Sequence, residues 1–80
     1  MTYDEVYEVV KQQITKVLPS VSPDMIHADA SLKDLGADSV DRADISTMSM
    51  EQLGLRLPLV ELGKVTNIRG LIELLQEQTR

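Results

Sequence analysis

Eighty residues, no cysteine, two aromatic residues and a formal charge of −5 exclude a good deal. A chain of this length holds one domain, expected over residues 1–80, and buries only about 60% of its unfolded surface. The missing cysteines remove disulfide staples, thiolate zinc sites and a thiol nucleophile, and one histidine, His27, cannot build a multi-histidine metal site.

Residues 2–18 have the pattern of an amphipathic helix. Thr2 and Glu5 carry capping-box spacing, and Val6, Val9, Val10, Ile14, Val17 and Leu18 recur three or four apart before Pro19 ends the run. Residues 19–37 form a long connection rich in Pro, Ser, Asp and Gly. Val21, Met25, Ile26, Leu32 and Leu35 predict that it is an ordered loop with short turns, anchored on the core. A second helix is expected from Asp38 to Leu53, opened by Asp38-Ser39 and stopped by Gly54. Its apolar pattern is less clean. Val40, Ala43, Thr47 and Met50 make one row, and Ile45, Met48, Gln52 and Leu53 another. Pro58 suits the start of a short helix from Leu59 to about Lys64. Asn67 caps a last helix that carries Ile68, Leu71, Ile72, Leu74 and Leu75. Strand alternation and hairpin turns are missing. The fold class expected is all-α, a four-helix bundle of three longer helices and one short one with a long first loop.

The charge argues against nucleic acid, because phosphate backbones need clustered Lys and Arg. Here eight bases are scattered among thirteen acids. Residues 1–40 hold seven acids and three bases, and residues 41–80 six acids and five bases. No run is apolar enough to predict a membrane span, and no signal peptide is read at the start, so the expectation is a cytoplasmic monomer. No metal site is expected either. Asp24, Asp29, Asp34 and Asp38 lack the spacing and the glutamate of a calcium loop, and His27 has no nucleophile placed beside it.

The informative segment runs from Ser31 to Asp41. It places the Ser39 hydroxyl at a helix N-terminus straight after a glycine turn. Free backbone N–H groups and the positive dipole end favour an anion there. Asp38 and Asp41 oppose a loosely bound phosphate, whereas a covalently fixed phosphodiester needs no such attraction. Taken alone, a serine in this place reads as a helix cap.

The run Leu35-Gly36-Ala37-Asp38-Ser39-Val40 resembles the Leu-Gly-x-Asp-Ser-Leu motif of acyl carrier proteins, and the helix layout matches that family along nearly the whole chain. The resemblance implies that Ser39 receives a 4′-phosphopantetheine arm from coenzyme A through a phosphopantetheinyl transferase. The arm's thiol then holds acyl groups as thioesters, and the protein itself catalyses nothing. It further implies that the serine helix is the recognition surface, with Asp38, Val40, Asp41, Arg42, Asp44, Thr47 and Met48 as contact candidates. The apolar interior is expected to shelter a short chain, and Leu59, Val60 and Leu62 are a candidate apolar docking patch.

The sequence departs from the fatty-acid type. From Asp38 to Leu53 the charge is only −3, and the third helix reads Leu59-Val60-Glu61-Leu62-Gly63. Arg42, the nearly neutral serine helix and the Pro58-Leu59-Val60-Glu61 run are similar to the freestanding donor carriers of polyketide β-branching cassettes. That likeness implies an acyltransferase that loads malonyl, a decarboxylating ketosynthase-like enzyme that converts it to acetyl, and a hydroxymethylglutaryl (HMG)-synthase-like enzyme that uses the acetyl. The alternatives are an elongating type II polyketide or fatty-acid carrier, and an armless helical interaction module in which Ser39 is only a cap. A peptidyl carrier would tend to show Gly-Gly-x-Ser where this chain has Gly-Ala-Asp-Ser.

Overall fold

A computed structural model describes residues 1–65 and 67–79, with Leu59 described by its backbone only. Four helices follow one another: α1 (Tyr3–Val17), α2 (Ser39–Leu53), α3 (Leu59–Leu62) and α4 (Ile68–Gln78). A 3₁₀ turn over Pro23–Met25 breaks the first loop. Among the described residues there is no strand.

Each long helix begins as its sequence dictates. Thr2 caps α1 in a reciprocal box: its hydroxyl accepts from the Glu5 N–H at 3.2 Å, and Glu5 accepts from the Thr2 N–H at 3.0 Å. In α2 the cap is Asp38, one residue ahead of the first helical position. Its Oδ1 accepts from the Asp41 N–H at 2.8 Å, and Asp41 returns the bond to the Asp38 N–H at 3.3 Å. Asn67 Oδ1 caps α4 through the Gly70 N–H at 2.8 Å. Gly54 closes α2 with φ of +70°, a value that favours glycine, and Leu55 N–H reaches back to the Met50 carbonyl at 2.8 Å.

One core holds these pieces together. Val6, Val10 and Ile14 of α1 share it with Ile45 and Met50 of α2, Leu62 of α3 and Ile68, Leu71, Ile72 and Leu75 of α4. α1 packs along both α2 and α4. The long loop is ordered, as expected. Val21 and Ile26 are buried in the core, and Leu32 and Leu35 pack against it. Tyr7 Oη donates to the Ile26 carbonyl at 2.9 Å, while Ile68 and Arg69 N–H donate to Ala30 and Ala28 carbonyls at 2.9 and 2.8 Å. The loop is therefore tied to α1 on one side and to the start of α4 on the other. An exposed ion pair, Arg69 to Asp29 at 2.8 Å, lies over the second tie.

Three expectations change. Met25 is not an anchor: it is 47% exposed on the 3₁₀ turn, because Ile26 takes the inward position. α3 stops at Leu62 rather than near Lys64, since Gly63 and Lys64 form a turn. In α2 neither apolar row faces inward as a unit. The buried residues are Ile45, Ser46, Ser49 and Met50, so two serines take inward places that hydropathy assigns to the surface, while Val40 points out.

Candidate functional site

The segment before α2 is built from turn chemistry. Ser31 Oγ accepts from the Asp34 N–H at 3.0 Å and opens a single helical turn. That turn closes when Gly36 N–H bonds the Lys33 carbonyl and Ala37 N–H bonds the Leu32 carbonyl, both at 3.0 Å. The closure sets Gly36 at φ of +95°, where a side chain would be strained, and a Cβ there would meet open space. Ala37 is buried, which fixes the entry into α2. Ser39 follows as the first helical residue and is exposed.

Capping falls to Asp38, so Ser39 is not the N-cap of α2. The reading of Ser39 as a mere cap loses its structural basis. An exposed hydroxyl after a glycine turn is what an incoming enzyme requires, and the local geometry fits attachment of a prosthetic arm.

Beside Ser39 opens a cavity of about 560 Å³. Four pieces of chain surround it: the Ser31–Lys33 turn, the first turns of α2 through Ser39, Arg42, Ala43 and Ser46, the end of α3 at Leu62 and Gly63, and Val65, Asn67 and Leu71 at the start of α4. Ser39, Arg42, Ala43 and Ser46 follow i, i+3, i+4, i+7 spacing and so share one face of α2. The cavity is expected as an apolar interior, yet its wall is mixed, with three hydroxyls, an amide and two cations among the leucines and valine.

The contact candidates of the serine helix separate into three groups. Val40, Asp44, Thr47 and Met48 form an outward stripe at i, i+4, i+7 and i+8; Val40 is 65% exposed, and Thr47 and Met48 are half-buried. Asp38 and Asp41 are engaged with each other at the cap. Arg42 lies two residues from both Val40 and Asp44, roughly 200° around the helix from each, on the cavity side. Of the apolar docking candidates, Val60 is exposed and Leu62 is buried in the core, while the Leu59 side chain lies outside the described residues. Sequence reasoning missed Lys33 and Ser46 as cavity residues. Only the three-dimensional approach of the loop turn to α2 brings Lys33 to the cavity, and Ser46 is polar on a buried face.

Comparison with known proteins fits this geometry. The model of the phosphopantetheine attachment site family matches residues 8–75. The polyketide biosynthesis acyl-carrier-protein AcpK of Bacillus subtilis (strain 168) is 40% identical over 80 residues, covering all of this chain and 98% of that protein. An acyl carrier protein of Petrotoga mobilis (strain DSM 10674 / SJ95) is 35% identical over 79 residues, covering 98% and 92% of the two chains. Among solved structures, a chain of the curacin biosynthetic pathway HMG synthase in complex with acetyl donor-ACP matches with a TM-score of 0.86. That match is 36% identical and covers 94% of this chain and 96% of that one.

The chain belongs to the phosphopantetheine-attachment family of carrier domains. Within it, it is an acyl carrier protein, of the class that bears a 4′-phosphopantetheine prosthetic group. These findings replace the reading of an armless interaction module. No helix among the described residues is long and apolar enough to cross a membrane.

Proposed function

We propose that this protein is the discrete, non-catalytic donor carrier of a polyketide β-branching cassette, acting as one domain in the cytoplasm. Ser39 receives the phosphopantetheine arm from coenzyme A, and the arm's thiol takes a malonyl group from an acyltransferase. A decarboxylating ketosynthase-like enzyme turns malonyl into acetyl, and an HMG-synthase-like enzyme takes the acetyl to a second carrier. The observation that carries the reading is the match, along nearly the full length of both chains, to the structure of an HMG synthase in complex with an acetyl donor carrier. The exposed Ser39 beside a cavity supports the attachment point. The outward stripe of Val40, Asp44, Thr47 and Met48, with little charge, supports docking by shape more than by electrostatics.

Two measurements test it in sequence. Intact mass is followed on incubation with coenzyme A, Mg²⁺ and a broad-specificity phosphopantetheinyl transferase. A gain of one phosphopantetheine is expected in the wild type and none in Ser39→Ala. The acetyl-loaded protein is then offered to an HMG-synthase-like enzyme with an acetoacetyl-loaded second carrier. Loss of acetyl from this chain and gain of the branched product on the other are expected. Loading without transfer, together with chain extension by an elongating ketosynthase, would instead assign an elongating carrier.

A further inference from the structure

On the cavity side of Ser39 the charge of the molecule is reversed. The chain as a whole carries thirteen acids and eight bases. Of the twelve residues that line the cavity beside Ser39, two are cations, Lys33 and Arg42, and none is an acid. Among the described residues the ion pairs within 4 Å are Glu61 with Lys64 and Asp29 with Arg69, so neither Lys33 nor Arg42 has a carboxylate partner. The nearest acids in sequence, Asp38 and Asp41, hold each other's backbone N–H groups at the cap.

This arrangement meets a problem created by attachment. A phosphodiester on Ser39 sits directly after Asp38 and two residues before Asp41, so it adds a third negative charge to that end of α2. The helix dipole offsets only part of this. Arg42 is three residues along the same face, which sets its Cβ about 5–6 Å from that of Ser39. Lys33 comes to the same cavity from the loop turn.

We infer that Lys33 and Arg42 are positioning residues that clamp the phosphodiester at the root of the arm. Arg42 supplies a planar fork suited to phosphate oxygens, and Lys33 a mobile point charge. The clamp lays the first bonds of the arm over the cavity mouth instead of leaving them to swing into solvent. Arg42 thus serves the arm, while Val40, Asp44, Thr47 and Met48 are left to face partners. The inference rests on the assignment of Ser39 as the attachment point.

The test uses the loaded protein alone, with no partner enzyme. The ³¹P resonance of the diester is recorded for the wild type, the double variant Lys33→Gln/Arg42→Gln and the charge-keeping variant Arg42→Lys. A fluorophore on the arm thiol gives the rotational amplitude of the arm by anisotropy decay. In the double variant the ³¹P shift is expected to move to that of the same diester in urea-unfolded protein and the arm to gain amplitude, with Arg42→Lys restoring part of both. Raising the ionic strength of the wild type to about 1 M, where the Debye length is about 3 Å, is expected to act in the same direction without any substitution. Identical spectra and amplitudes in the wild type and the double variant would overturn the clamp. A wild-type effect that arises only with malonyl on the thiol would move the cations to the acyl carboxylate and overturn the assignment to the root. Failure of the wild type to gain mass at Ser39 would overturn the attachment reading itself, which separates the two claims.

Discussion

α1 and α2 are each 15 residues long, and each opens with a reciprocal capping box, yet they devote their residues to different ends. α1 gives one face to the core and the rest to water, and its buried positions Val6, Val10, Gln13 and Ile14 follow a single stripe. α2 has three duties. It packs into the core with α1 through Ile45 and Met50, lines the cavity through Ser39, Arg42 and Ser46, and presents Val40 and Asp44 outward. A helix with one duty shows a clean amphipathic pattern. A helix with three shows a blurred one, and here the blur falls on the helix that opens at Ser39 and lines the cavity.

The sharpest way to break this contrast is to truncate one residue from each duty. Ile14→Ala in α1 removes a fully buried side chain and is expected to cost ~2–5 kcal/mol, enough to unfold much of a small domain. Val40→Ala on the outward stripe is expected to change stability by less than about 0.5 kcal/mol. Urea unfolding followed by circular dichroism compares them, and equal losses would show that Val40 belongs to the core after all. A second pair separates the cap from the proposed attachment point. Asp38→Ala removes the side chain that holds the Asp41 N–H and is expected to cost about 1 kcal/mol. Ser39→Ala is expected to leave stability within about 0.5 kcal/mol while abolishing loading, because Ser39 is not the cap. If Ser39→Ala were the more destabilising of the two, the hydroxyl would have a structural role that the capping geometry does not give it.

The parts of the fold with a local cause were legible in the sequence. Thr2 with Glu5, Gly54 and Asn67 punctuate helices through bonds to residues within five positions, and each does so in the structure. The all-helical class followed from such signals, and the order of the loop from its buried Val21 and Ile26. Of the proposed site, the sequence alone pointed to one residue, Ser39, and only because the glycine turn and the Asp-Ser pair match a family motif. What stayed hidden depends on distant chain meeting. Lys33 reaches the cavity because the Ser31–Lys33 turn closes against α2, and Ile68 and Arg69 bind the Ala30 and Ala28 carbonyls. Ser46 and Ser49 stayed hidden for another reason: hydropathy assigns a serine to the surface, while a small side chain is easily buried on a packed face.

Ser49 sharpens that last point. It is fully buried and its hydroxyl has no hydrogen-bond partner among the described residues. An unpartnered buried hydroxyl costs roughly 1–3 kcal/mol of desolvation. Ser49→Ala leaves the backbone unchanged and is expected to raise stability by about 1 kcal/mol, seen as a higher urea midpoint with an unchanged slope. A loss of stability would mean that the hydroxyl is satisfied by a buried water or by the carbonyl one turn back.

The smallest expected effect compares the first turn of α1 with the core it leads into. Bonds from the Thr2 backbone and hydroxyl hold the Glu5 carboxyl below its ordinary value of 4.5. A carboxyl lowered in this way stabilises the folded state at pH values above 4.5, and that contribution fades as the pH falls through the lowered value. The capping box is therefore complete at neutral pH and opens as the pH falls through that lowered value. The protection of the Glu5 amide against exchange, relative to an unstructured amide at the same pH, is expected to fall there, while that of Ile14, three turns into the same helix, follows only global unfolding. Glu5→Gln keeps a weaker acceptor and is expected to remove the pH dependence at the first turn. Equal loss of protection at Glu5 and Ile14 would instead mean that α1 opens as one unit, and that its cap and its core stripe are not separable.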